Sequence, residues 1–274
     1  MRIVQLIITL LLIHPSLCFS QYEKVFGDYF QLQKGDSVFT FNKCVLKSKP
    51  DVNSKNIEKL NLGELLIIDS VCANFNSDTF IRPMFYRVKH HMKTGFIEQR
   101  NVSICKLNTN VPQDFFLVNQ YSFSDTVPDS LKFIFVKNGI IEVSYIQKLI
   151  GQAYSITLTD NRGLDSITNL IQINYYAEAC GEEGGVSILT WDTKKITELI
   201  SLSSISDAGV FYSFETIVLP KDSGGLEGKI IYKIESGEAI DETTNWWKTI
   251  KEEREHSWTN KQVQPAFRSK PINE

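Results

Sequence analysis

Few residues in this chain are of types that do chemistry, and they are thinly spread. Outside the first twenty positions the histidines are His90, His91 and His256. A thiol hydrolase needs a cysteine activated by a histidine, and Cys180 with His256 is the pair in the C-terminal half that fits. Cys180 lies in Tyr176-Ala177-Glu178-Ala179-Cys180-Gly181-Glu182-Glu183-Gly184-Gly185. The carboxylates of Glu178, Glu182 and Glu183 disfavour a thiolate, which argues against catalysis. His90 and His91, read as strand neighbours, point to opposite faces and do not jointly hold an ion, so an exposed, inert pair is expected. The acidic loop around Cys180, with Asp207 or Asp222, offers carboxylates of the kind calcium takes. No EF-hand spacing is present, and Asp160-Asn161-Arg162-Gly163 places an arginine where a ligand is needed. Solvated hairpin tips are therefore expected, with no metal and no cofactor. His-Glu-x-x-His, Gly-x-Ser-x-Gly and P-loop patterns are missing from the sequence, so the chain reads as a non-enzyme. Trp246-Trp247 is a candidate of another kind: one of two adjacent strand positions faces outward, where a ring can stack on a sugar or a partner.

The elements that position these residues are strands. The 274 residues are 42% hydrophobic, 11% aromatic and 22% charged, an ordinary globular balance. Proline and glycine punctuate short runs rich in Val, Ile, Phe and Tyr, while long runs with helical periodicity are hard to find. The reading is a mainly β chain in two units, 35–107 and 112–268, joined at the polar, proline-marked stretch 107–113. Strands are expected near 37–42, 64–71, 84–90 and 93–98 in the first unit. In the second they fall near 131–137, 139–147, 152–159, 168–178, 185–191, 195–201, 209–218 and 228–235. Residues 241–256 also suit a helix capped by Asp241, but a strand over 250–258 is favoured because it leads into Trp258. Two segments share one grammar: Ile188–Thr197 and Glu255–Gln264 each run through alternation, a Trp, a polar turn and a β-branched residue. Each suits a hairpin that buries one face, so the second unit is expected to be an antiparallel meander or a set of propeller-like hairpins.

Residues 1–20 are a different polymer. Arg2 precedes the apolar run from Ile3 to Ile13, and small residues follow, which is the pattern of a secretory signal peptide cut between Ser20 and Gln21. The run is too short to span a bilayer, so no transmembrane segment is expected after cleavage. Removing it takes Arg2 and no acid, so 29 basic residues become 28 against 32 acidic ones and the formal charge becomes −4. That mild acidity gives no reason to expect nucleic acid as a partner. Four cysteines remain, Cys44, Cys72, Cys105 and Cys180; in an oxidising compartment they are candidates for disulfides in any of three pairings.

The stretch from Cys44 to Glu64 carries a resemblance. An apolar residue, Lys47-Ser48-Lys49-Pro50, a polar turn, Ile57 and Leu60-Asn61-Leu62-Gly63 are similar to the opening of the bacterial SH3-like (SH3b) family. Phe85-Tyr86-Arg87-Val88-Lys89 and Thr94-Gly95-Phe96-Ile97 resemble its second half. Lys47 and Lys49 stand in place of the usual Arg and Gly, Phe96 in place of Trp, and 73–83 is a longer insertion than usual. The resemblance covers about 65–70 residues and implies a small SH3-like barrel. It implies binding rather than catalysis, with a mouth that would include Phe85, Tyr86 and Phe96. Gly63 is expected at a positive φ in a tight turn, and Gly95 is expected to let the following hairpin reverse.

Together these readings give an exported protein, periplasmic or secreted, that docks non-catalytically to cell-wall peptidoglycan or an envelope protein. A wall or glycan hydrolase targeted by the barrel is the rival reading, and an inhibitor or assembly partner of another exported protein is the third.

Overall fold

The computed structural model describes residues 24–26, 32–72, 85–121, 130–151, 153–177, 179–241 and 246–267, with backbone only at Val71, Cys72 and Tyr121. The signal-peptide reading, and the insertion at 73–83, lie outside them. The chain is mainly β, with no α-helix among the described residues, and none long and apolar enough to cross a membrane.

Three antiparallel sheets follow one another along the chain. The first holds β1 (Ser37–Thr40), β2 (Cys44–Lys47), β3 (Asn56–Leu60), β4 (Leu65–Cys72), β5 (Phe85–His90), β6 (Lys93–Glu98) and β7 (Val102–Ser103), in the order β3-β2-β6-β5-β4-β1-β7. Each strand sends a residue to one core: Val38, Leu46, Leu60, Leu66, Ile68, Tyr86, Val88, Ile97 and Val102. The expected barrel is not closed. Among the described residues the end strands β3 and β7 do not pair, because β7 stops after two residues and the chain leaves for the next sheet.

The middle sheet has the order β11-β10-β9-β8, from β8 (Cys105–Asn108), β9 (Phe115–Tyr121), β10 (Ser130–Lys137) and β11 (Ile140–Lys148). Residues 107–113, read from sequence as the link between units, hold the end of β8 and most of the hairpin turn into β9, so the first strand of this sheet begins before that stretch. Its two central strands carry apolar runs, Phe115–Val118 and Phe133–Val136, because both faces are covered there. Phe116, Val118, Leu131, Phe133 and Phe135 face the third sheet, and Leu117, Ile134 and Val136 face Phe41 and Phe39 of the first. Period-two alternation carries one apolar residue to each neighbour in turn.

The third sheet is an eight-stranded meander in sequence order: β12 (Ala153–Thr159), β13 (Asn169–Tyr176), β14 (Glu183–Trp191), β15 (Ile196–Asp207), β16 (Phe211–Val218), β17 (Lys229–Asp241), β18 (Trp246–Thr259) and β19 (Gln262–Gln264). Residues 250–258 are strand, as expected. Both Trp hairpins form: Trp191 pairs with Ile196, and Trp258 with Val263. The edge of β12 is covered by Phe26, whose amide and carbonyl bond those of Tyr154. One face of β12–β15 packs on the middle sheet through Tyr154, Ile171, Ile173, Leu189 and Trp191. The opposite face, with Leu170, Ile188, Ile200 and Leu202, is overlaid by Leu219, Ile230 and Trp258 from the later strands.

Candidate functional site

The third sheet splits between β15 and β16. Their ladder runs only from Ser204↔Phe214 to Asp207↔Phe211, although β16 stays paired to β17 along its whole length. Where the next rung would join Ser203 to Glu215, the Glu215 side chain intervenes. Its Oε2 accepts the Ser203 amide at 2.8 Å and its Oε1 accepts the Tyr232 hydroxyl at 2.8 Å. Burial and that carboxylate both push the Tyr232 phenol above its ordinary range, so it remains a donor.

Beyond the split β15 has a free edge among the described residues, with no described strand paired to it there. On its other side Ser201 and Ser187 are close enough for their hydroxyls to bond at 2.7 Å, the approach of a non-hydrogen-bonded antiparallel pair. The amide and carbonyl of Ser201 therefore point away from β14, as the Ser203 amide does. A bulge at Leu199 keeps the same orientation at Glu198.

The free edge is one wall of a cleft of about 640 Å³, within the range of about 300–1,000 Å³ typical of ligand sites. Residues 197–201 line one side, and Tyr232, Trp258, Val263 and Phe267 line the other. Trp258 is fixed by its indole N–H donating to the Asp165 carbonyl at 3.1 Å. Lys261, at the mouth, bonds Asp192 at 2.6 Å, so the polar turns of the two Trp hairpins touch. Burial pushes the Asp192 carboxyl up, but hydrogen bonds from Lys261 and from the Lys195 and Lys194 amides outweigh it and hold it at about 2. Glu198 accepts from Gln147 at 3.1 Å and from the Ser201 hydroxyl at 3.1 Å. Neither Glu198 nor Glu215 has a cation partner among the described residues.

The residues singled out from sequence lie elsewhere. Phe85 and Tyr86 are buried, Tyr86 within the first sheet's core, and Phe96 is half-buried, so the first two present no ring to a ligand. Trp246 is 61% exposed, while Trp247 is half-buried against Tyr212 with ring centroids 5.7 Å apart. Cys44, Cys105 and Cys180 are free thiols, and the Cys72 side chain lies outside the described residues. Burial pushes Cys44 and Cys105 up to about 12. Cys180 is exposed beside the β15–β16 turn, where Gly181 bonds Ser206. His256 sits opposite Ile230 at the far end of the ribbon, its Nδ1 donating to the Pro265 carbonyl at 2.7 Å. The two are not brought together.

Three further expectations are corrected. His90 and His91 do not point apart: His91 leaves the strand at φ 49, and the rings lie 4.3 Å apart. His90 is buried between Glu58 and Glu64, at 3.1 and 3.3 Å, rather than exposed. Gly95 is not the reversal, which falls at His91-Met92. It lies in β6, where a Cβ would meet the Leu46 side chain at 2.6 Å and the Lys47 carbonyl at 2.7 Å. Gly63 does take a positive φ, of 76°. Asp222 is committed to Arg162 and to the Leu219 amide, and no cluster of three metal-ligating side chains occurs among the described residues.

Glu215, Tyr232 and Lys261 were not singled out from sequence. The available signal was Glu215 itself, an acid on the inward face of an alternating strand. No family model, no curated protein and no solved structure matches this chain.

Proposed function

We propose that this chain is an exported, non-catalytic binding protein of the cell envelope that holds a cell-wall or protein ligand in the cleft between β15 and the β16–β19 ribbon. The observation that carries this reading is the split ladder, which leaves strand-edge polar groups facing a wall of Tyr232, Trp258 and Phe267. A pocket with an apolar wall and a few convergent polar groups is the usual form of a ligand site. The likeness of residues 44–97 to SH3-like modules supports docking at the envelope, and with Phe85 and Tyr86 buried the reading takes the cleft of the later sheet as its recognition surface.

Co-sedimentation of residues 21–274 with purified peptidoglycan, at low and high salt, tests it. Binding that falls about fivefold in Glu198→Lys at low salt, weakens but persists at high salt, and is unchanged in Trp246→Ala is the expected result. Sedimentation of neither the native chain nor the variants overturns docking to the wall.

A further inference from the structure

We infer that the cleft takes an extended, basic polypeptide segment, which adds as a strand to the free edge of β15. This rests on the cleft being the recognition site. The backbone groups of Glu198 and Ser201 face the opening, and the Ser203 amide is held there by a side chain rather than by a strand. Thr197–Ser203 offers about 20 Å of edge at strand spacing, enough for six or seven residues of an added chain. Strand addition is the recognition mode in which such an edge supplies affinity and flanking pockets supply specificity.

Charge sets the chemistry of the added strand. Glu198 is exposed beside the edge and Glu215 closes its end, both without a cation partner among the described residues, whereas Lys261 is already spent on Asp192. A lysine or arginine in the incoming segment answers those carboxylates. Every second side chain of the segment would face Tyr232, Trp258 and Phe267, so the favoured sequence alternates basic with apolar residues. A second copy of this chain fits poorly: edge-to-edge pairing would set Glu198 against the acids of its twin and meet the bulge at Leu199.

The test uses the full exported chain and a library of acetylated, amidated heptapeptides, valine or phenylalanine alternating with lysine, serine or glutamate. Binding is read by fluorescence polarisation. Lysine peptides are expected to bind at least about tenfold more tightly than glutamate peptides, and Glu198→Lys is expected to erase that preference. N-methylation of alternate peptide amides should weaken binding about tenfold at the edge-facing positions and less than about twofold at those between them. Loss without a period of two, equal binding of basic and acidic peptides, or no binding by any heptapeptide overturns the inference. If the chain still sediments with peptidoglycan while no peptide binds, strand addition falls and the binding role stands. If it does neither, both fall.

Discussion

The two halves of the eight-stranded sheet share a backbone plan and differ in what surrounds them. In β12–β15 both faces are covered, and Trp191 is 1% exposed, in edge contact with Phe116 at 5.3 Å and tilted against Phe135 at 4.4 Å. In β16–β18 the strands run for up to fourteen residues, yet β18 is mostly exposed, with five consecutive charged residues at 251–255, and Trp246 is 61% exposed. The middle of the ribbon is held by register and by cross-strand pairs such as Lys233–Glu253 and Glu235–Lys251, at 3.0 and 2.9 Å. Such exposed pairs contribute little each. Stability therefore resides where a strand is covered twice, and a strand covered once or not at all is free to serve as a surface.

Substitutions break or sharpen that contrast. Trp191→Ala should be the most damaging, costing about 3–5 kcal/mol by urea denaturation, because it empties the junction of two sheets. Leu117→Ala removes contact on the other face of the middle sheet and should cost about 3 kcal/mol, lowering a single shared transition rather than splitting it in two. A biphasic melt would show that the sheets unfold separately. Lys261→Ala should cost about 1 kcal/mol at neutral pH. Asp192 is held near 2, below its unfolded value of about 3.9, so the stabilisation is present above about pH 4 and is lost as pH falls towards 2. The gap between native and variant should close over that window. A gap that persists at pH 2 would mean Lys261 acts through packing. Trp246→Ala should move stability by less than about 0.5 kcal/mol, and a larger loss would place the ribbon tip among the covered regions.

How much of this was legible depends on range. Trp191-Asp192 with Ile196, and Trp258 with Val263, could be read as hairpins because every signal lies within a few residues. The strand of Leu131–Val136 was equally plain. Its two-sided burial was not, since it depends on Phe41 and Trp191, some 60–90 positions apart in either direction. Tyr86 shows the same blindness: its strand was right, but that its ring is covered is decided by residues from six other strands. His91 turned on one residue, the point where φ becomes positive. The cleft was hidden most deeply. It exists where pairing stops, and only the partners of Ser203 and Glu215 reveal that.

The middle sheet also sets an order of assembly. As the chain emerges, residues 37–103 can close around their own core before anything later is present. The middle sheet cannot finish in the same way. Phe116, Phe133 and Phe135 wait for Tyr154, Ile171 and Trp191 to be delivered, and during that interval they form an adhesive apolar surface of the kind chaperones recognise. A chain interrupted near residue 150 would be left with that surface bare, which makes premature truncation there a route to aggregation rather than to a smaller working protein.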